Sequence, residues 1–419
     1  MDDIANTGSS TWVDIPSGSP FPLRNLPLGV ARRADGTVGA FVAIGDQALD
    51  LAEAVGTGFL EDSPAELGLL DAGRTLNGFA AAGRAAHTAL RRRLTELFTD
   101  DRYAAQLSPS LIPLDELTML LPVAVGDYVD FYSSLHHATN LGRLFRPDGE
   151  PLLPNWRHLP VGYHGRSGTV VADGTDITRP SGLRLVDGEP VFGPTNALDI
   201  ELEVGFIVGA PSELGHPIAT AGADAHLFGL CLVNDWSARD IQAYEYQPLG
   251  PFLGKSFATS MSPWIVTLDA LEPFRVDPPA QEPPVADYLR TTGPTSFDLH
   301  LEVELNGTVI SAVGFADTYW SAAQQLAHMT VNGASVRAGD LFASGTVSGP
   351  EPGTEGSLIE LTWRGERPIQ LADGTSRTFL EDGDQVTLRG WAGADPTNRI
   401  GLGSVTGTIA PADRHTGGH

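Results

Sequence analysis

Asp199–Val208 reads Asp-Ile-Glu-Leu-Glu-Val-Gly-Phe-Ile-Val and changes character half way along. Its first half alternates acidic and apolar side chains, the period-two pattern of a strand; its second half is a nearly continuous apolar run. On a strand, Glu201 and Glu203 lie on one face and Leu202 on the other. Two carboxylates on one face repel each other unless a cation sits between them. An isolated Glu-Leu-Glu would simply face water. Here the strand runs on into Val204–Val208, a buried type of sequence, which disfavours free solvation of the pair.

The surrounding chain has the same texture. Ile200–Val208, His226–Asn234, Ser262–Leu268, Ser296–Val309, Ser357–Trp363 and Gln385–Gly390 all read as strands between Gly and Pro turns. One clear helix is predicted among them, at about Ser321–Val331, with Ser321 as its N-cap and Asn332-Gly333 at its end. Pro278–Pro284 reads as a surface excursion. Nearer the start, Leu28–Arg32 and Val38–Ile44 flank Asp35-Gly36, a favoured hairpin turn. A helix is expected over about Phe79–Phe98, with Leu90, Leu94 and Leu97 on one face. The prolines of Ser108–Pro122 mark a connector. The chain has 419 residues, more than one core usually serves. Two domains are therefore expected, a small β-barrel-like module over 1–122 and a larger part over 123–419. The predicted class is mainly β, a β-rich α+β fold built as a roll or sandwich rather than a doubly wound sheet.

Composition excludes several functions. A net charge of −26 speaks against nucleic acid, whose phosphates need a basic surface. It also repels anionic substrates at long range, so a cation must reverse the field wherever one binds. No run of eighteen apolar residues offers a membrane span. The N-terminal stretch lacks the basic start and apolar middle of a secretory leader. Cys231 is the single cysteine, which leaves no intrachain disulfide and no thiolate zinc site. A reducing cytoplasm is the expected location.

Two further stretches carry candidate chemistry. Asn234–Asp240 follows an apolar strand, and its Asp235 is equally suited to ligate a cation or to cap a helix. Gly126–Asn140 supplies Asp130 and the pair His136-His137; histidine's unperturbed pKa lies near neutrality. Carboxylates without a thiolate would select a hard cation, Mg²⁺ or Ca²⁺, over Zn²⁺. No His-Glu-x-x-His, EF-hand loop or Gly-x-Ser-x-Gly elbow is present. Gly162–Gly168 is glycine-rich but fits neither a P-loop nor a dinucleotide fingerprint.

The strings Asp130–Asn140 (DFYSSLHHATN), Leu153–Arg166 (LPNWRHLPVGYHGR), Asn234–Gln242 (NDWSARDIQ), Tyr246–Thr259 (YQPLGPFLGKSFAT) and Ala343–Gly349 (ASGTVSG) resemble the fumarylacetoacetate hydrolase family. The likeness runs in order from about residue 120 to 405, and residues 1–122 more loosely resemble the family's small SH3-like barrel. It implies that Asp130, Glu201, Glu203 and Asp235 ligate a divalent metal, Mg²⁺ or Ca²⁺. Lys255 and Thr259 match positions beside a second Mg²⁺, with Asp235 again contributing. His137 matches the general base, and Glu360, in the predicted strand Ser357–Trp363, its orienting carboxylate. Arg239, Gln242 and Lys255 match the group that stabilises negative charge at the attacked carbonyl. Tyr132, Arg146, Tyr163, Gln242, Tyr246 and Thr346 match substrate contacts. The implied reaction cleaves a carbon–carbon bond of a small dicarbonyl acid, the last step of tyrosine breakdown, in a homodimer.

Two positions depart from the family's pattern. His136 stands where Gln is frequent, and Ala258 where Gly is usual; neither removes a ligand or the base. Two rival readings remain. One is another enzyme of the wider superfamily, such as an acylpyruvate hydrolase or an oxaloacetate decarboxylase, which would share the acidic ligands but not the full strings. The other is a non-catalytic scaffold stapled by metal, which would need none of His137, Glu360, Lys255 and Arg239.

Overall fold

Asp35-Gly36 makes the expected turn, with Gly36 at φ 87°, and joins β1 (Leu28–Arg32) to β2 (Val38–Ile44). The pair is antiparallel, with Leu28 opposite Val42 and Arg32 opposite Val38. The structure is a computed structural model and describes residues 10–60 and 74–413. The helix expected over Phe79–Phe98 is two pieces, a short turn Asn77–Ala81 and α1 (Arg84–Thr99). Gly83, at φ 82°, breaks them, because a left-handed backbone cannot continue a right-handed helix. Leu90, Leu94 and Leu97 of α1 are buried as the spacing requires. β1 also pairs with the strand Trp264–Thr267, so the ladder crosses from the N-terminal hairpin into the larger part of the chain.

The strand-rich α+β expectation holds. Among the described residues, one sheet has thirteen strands and another has five. The larger sheet contains β3 (Tyr128–Phe131), β4 (Leu202–Val208), β5 (Leu227–Asp235) and β6 (Leu341–Ala343). β4 lies antiparallel between β5 and β6, and β3 runs parallel to β6 on its far side. Every residue of β4 and β5 is buried. Val204, Phe206 and Val208 enter one core while Ile207, with Cys231 and Val233 of β5, enters another on the opposite face. This two-sided burial is why the run Val204–Val208 is continuously apolar. The register sets Leu202 against Asn234, and Ala343 against both Gly205 and Asp130. It therefore gathers the acidic ends of three strands at one end of the sheet.

The five-stranded sheet is half-buried, and Leu299–Leu305 alternates buried and partly exposed positions along its length. The predicted strand Ser296–Val309 folds back on itself as Leu299–Leu305 and Thr308–Gly314. The turn is Asn306-Gly307, at φ 49° and 78°, the dipeptide a tight hairpin prefers. The predicted strand Ser262–Leu268 is likewise shorter, Trp264–Thr267, with Thr259–Met261 pairing separately; Pro263 between them has no N–H for a ladder.

Helices are where the period-two reading misleads. α2 (Leu135–Phe145) lies in a segment for which no helix is expected, and α3 (Arg239–Glu245) starts beyond Asp235, with Ala238 rather than Asp235 at its N-cap. α4 (Ala322–Thr330) is the predicted helix, and Ser321 with Gln324 forms a full capping box. Glu360 lies in α5 (Leu358–Leu361), not in a strand. Leu-Ile-Glu-Leu reads equally as alternation or as one helical turn, and the first amides of α5 find an acceptor far away in sequence, Asp199. Trp363 and Arg364, both at positive φ, end the turn at once. Among the described residues no helix is long and apolar enough to cross a membrane.

Candidate active site

Four carboxylates meet at the sheet end. Asp130 is in β3, Glu201 immediately precedes β4, Glu203 lies within it, and Asp235 closes β5. One oxygen from each lies within 4.8 Å of the others, and all four residues are buried. Asp235 is therefore a strand-end carboxylate and caps no helix. Its Oδ1 accepts from Thr259 Oγ1 at 2.9 Å, and its Oδ2 from Tyr163 Oη at 2.9 Å and Lys255 Nζ at 2.8 Å. Lys255 Nζ also donates to Glu201 Oε2, and Arg239 Nη1 lies 2.8 Å from Glu201 Oε1.

The charges do not balance. Burial opposes ionisation of Glu201, yet Lys255 and Arg239 outweigh it and hold that carboxyl well below the usual range. At Asp130 and Glu203 the pull of Lys255, and at Asp130 that of Tyr163, is outweighed. Burial, and then the neighbouring carboxylates, push both well above the usual range. Asp130 Oδ1 and both oxygens of Glu203 are buried without a hydrogen-bond partner. Buried polar atoms are almost always satisfied, so unpaired carboxylate oxygens converging on one point mark a cation site. An all-oxygen donor set of this size fits a hard divalent ion.

Lys255 keeps its proton. Burial opposes the charge, but Asp235 and Glu201 overcome that and raise its pKa. A protonated ammonium has no lone pair for a metal, so this side chain acts as a donor.

Next to the cluster stands a dyad. Ser134 caps α2, its Oγ accepting from the His137 amide at 3.3 Å, which places His137 in the helix's first turn. The imidazole is 2% exposed and its Nδ1 lies 2.6 Å from Glu360 Oε2. Glu360 also accepts from Ser348 Oγ at 3.0 Å, Ser357 Oγ at 2.7 Å and Asn140 Nδ2 at 3.0 Å. Burial works against this carboxylate, but His137 and the hydroxyl and amide donors outweigh it and lower its pKa. An ionised Glu360 only accepts, so Nδ1 carries a proton toward it and Nε2 is the ring nitrogen that faces away from the pair. His136 is half-buried and makes none of these contacts, because successive helix residues face different ways. The Tyr132 ring meets that of His137 edge-on, centroids 5.3 Å apart.

The remaining candidates divide. Arg239 is buried; its Nε donates to Asp199 Oδ2 at 2.7 Å and its Nη1 to Gln242 Oε1 at 3.3 Å, while Nη2 has no partner. Thr346 Oγ1 is also buried and unpartnered. Arg146 is exposed at the end of α2, where Nη2 donates to the Pro151 carbonyl at 2.6 Å, yet its charge is felt at Tyr132. Tyr246 is 43% exposed and pairs with the neighbouring Gln247 amide. Asp199, Asn140, Ser348 and Ser357 were not singled out from the sequence. Asp199 had a visible signal, since the period-two Asp-x-Glu-x-Glu runs through it. The serines and Asn140 had none beyond standing in or beside the quoted strings.

A cage of buried carboxylates, a histidine oriented by a glutamate and two buried cations define a class of centre, one built for hydrolytic attack on a polarised carbonyl. Comparison with known proteins agrees. Residues 24–122 match the fumarylacetoacetase N-terminal family, and residues 128–410 match the fumarylacetoacetate (FAA) hydrolase C-terminal family. The fumarylacetoacetase of Arabidopsis thaliana is 46% identical over 420 residues, covering 96% of this chain and 98% of that protein. The fumarylacetoacetase of Homo sapiens is 45% identical over 418 residues, covering 96% of this chain and 99% of that one. The solved fumarylacetoacetate hydrolase of Exiguobacterium antarcticum shares the fold, with a TM-score of 0.53 at 17% identity over 92% of this chain and 99% of that one. The chain belongs to the fumarylacetoacetase family.

Proposed function

We infer that this chain hydrolyses the carbon–carbon bond of 4-fumarylacetoacetate to fumarate and acetoacetate, the closing step of tyrosine and phenylalanine breakdown. The observation that carries it is the His137–Glu360 contact at 2.6 Å beside the four-carboxylate cluster, in a chain 46% identical to a fumarylacetoacetase.

Asp130, Glu201, Glu203 and Asp235 would hold Mg²⁺ or Ca²⁺, which would supply Lewis-acid polarisation of the substrate's carbonyl group. Lys255 and Thr259 would flank a second cation, where the Lys255 ammonium donates to Asp235 and Glu201 and the Thr259 hydroxyl to Asp235. His137 Nε2 takes a proton from water while Glu360 holds Nδ1–H and stabilises the imidazolium. Hydroxide adds to the carbonyl on the fumaryl side. Arg239, Lys255 and Gln242 donate to the oxyanion, each such donor being worth roughly 3 kcal/mol. The carbon–carbon bond then breaks, its electron pair leaves with the acetoacetate enolate, and the enolate is protonated. Tyr132, Arg146, Tyr163, Tyr246 and Thr346 would fix the substrate's carboxylates and carbonyls. An N-terminal SH3-like barrel over 1–122, a catalytic roll over 123–419, assembly as a homodimer and a cytoplasmic location belong to the same proposal, on the family resemblance.

The test is loss of the ultraviolet absorbance of fumarylacetoacetate on adding purified protein, repeated after chelation and after returning Mg²⁺ or Ca²⁺. Loss that chelation abolishes and metal restores, with fumarate and acetoacetate as products, is expected. No loss in folded, metal-loaded protein would overturn the substrate and turn attention to acylpyruvates and oxaloacetate.

A further inference from the structure

We propose that Asp199 is a positioning residue that locks the Arg239 guanidinium and the Glu360-bearing helix α5 into one register, so that the oxyanion donor and the carboxylate orienting the base are set by a single side chain. The role rests on the functions given above to Arg239 and Glu360.

Asp199 is fully buried and both its oxygens are saturated. Oδ1 accepts from the amides of Ile200 at 2.7 Å and Leu358 at 2.7 Å. Oδ2 accepts from the Ile359 amide at 3.1 Å and from Arg239 Nε at 2.7 Å. Leu358 and Ile359 are the first residues of α5, whose own preceding residue, Ser357, gives no side-chain cap. The Ser357 hydroxyl is spent instead on Glu360. Asp199 thus does for α5 what an N-cap normally does from within the chain, satisfying the orphan donors of the first turn.

The backbone fixes Arg239 from the same place. Asp199 pairs with Ser237 across a two-residue ladder, and the Arg239 amide donates to the Ala197 carbonyl at 2.9 Å. Nε is then held by Asp199, and Nη1 by Glu201 and Gln242. Nη2 is the donor left over, buried and without a partner. A guanidinium is planar, so fixing Nε and Nη1 fixes the direction of Nη2 as well. Neither Arg239 nor Glu360 can move without pulling on the same carboxylate.

The test is a double-mutant cycle of Asp199→Asn and Arg239→Gln in the metal-loaded full chain. It reads kcat and KM for fumarylacetoacetate separately, with the thermal midpoint after chelation as a readout independent of turnover. Asparagine keeps Oδ1 for Ile200 and Leu358 but turns its NH₂ toward both Arg239 Nε and the Ile359 amide, which loses its acceptor. Asp199→Asn should therefore lower kcat about 100-fold, the cost of a misplaced catalytic group, with KM changed less than about threefold. Arg239→Gln should lower kcat by about 10²–10³-fold. The double variant should fall below Arg239→Gln by no more than about tenfold in kcat, far less than Asp199→Asn loses alone, because no guanidinium remains to misplace and only the Ile359 amide loses its acceptor. Its midpoint should lie above that of Arg239→Gln, whose Asp199 is a buried charge without its partner. If Asp199→Asn does not fold, the comparison of Arg239→Gln with the double variant decides alone. For the helix, Asp199→Ala in the Arg239→Gln background should lower kcat at least about tenfold below Asp199→Asn in the same background, since the amides of α5 lose their acceptor. Full kcat in Asp199→Asn, or losses that multiply in the double variant, would overturn the link to Arg239. Equal kcat for Ala and Asn would overturn the link to α5. A wild type that does not turn over fumarylacetoacetate would overturn the parent reading and this role with it.

Discussion

Replacing Glu360 by Gln asks how much of the base's power comes from its partner's charge and how much from its geometry. In the protein, Glu360 Oε2 accepts from His137 Nδ1, Ser348 Oγ and Ser357 Oγ, whereas Oε1 accepts only from Asn140 Nδ2. An amide oxygen placed at Oε2 keeps all three donors satisfied and leaves its NH₂ facing Asn140. The Asn140 amide can turn to present its own oxygen, so one rotation repairs the only mismatch. The reverse orientation would set an NH₂ against His137 and force the other tautomer. The structure thus favours a variant in which Nδ1–H and the lone pair on Nε2 survive. What is lost is the negative charge facing the imidazolium, worth at most about 4 kcal/mol for unit charges some 4 Å apart in a partly screened site. At about 1.4 kcal/mol per factor of ten, kcat should fall about 10²–10³-fold, with KM and metal content near wild type. A lost tautomer, by contrast, costs about 10⁴-fold in a comparable histidine–carboxylate pair. Steady-state kinetics on fumarylacetoacetate, with metal analysis of the same sample, reads the outcome. A loss under about threefold would remove Glu360 from the mechanism. A loss near 10⁴-fold would refute the rescue by Asn140.

Further consequences can be measured in the same preparations. His137→Ala should abolish most turnover while leaving bound metal unchanged, because its contacts are to Glu360 and not to the carboxylate cage; full activity by the same assay would remove it as base. Glu203→Gln should weaken Mg²⁺ or Ca²⁺ binding at least about tenfold by calorimetry. The same variant should leave the chelated protein as stable as wild type or more so, since neither Glu203 oxygen has a protein partner; a lowered melting point after chelation would contradict this account of the cluster. Gly345→Ala would place a methyl group 2.1 Å from the Phe131 carbonyl at a φ of 77°, so it should cost about 3 kcal/mol or more in urea unfolding, and a neutral result would mean that this loop can move.

The path from sequence to site was uneven for physical reasons. Strand existence was readable wherever burial alternated or ran unbroken, as along Leu299–Leu305 and Leu202–Val208. The Ser321 capping box was readable because both partners lie within one turn. α2 was missed although Ser134 caps it, since the aromatic and β-branched neighbours in Phe131–Thr139 mask its short apolar face. Resemblance proposes a role for Glu360, whereas periodicity places it in the wrong element, because one helical turn is too short to show a period.

By itself the sequence determined the strand-rich class, the Asp35-Gly36 hairpin, the four acidic side chains and the family, since each depends on local pattern or on residue identity in order. Only the tertiary structure decided which of His136 and His137 meets Glu360, which carboxylate oxygens go unpaired, and that Asp199 holds both Arg239 and the first amides of α5. Those contacts join segments far apart along the chain, and no local propensity encodes a partner that only strand register brings within reach.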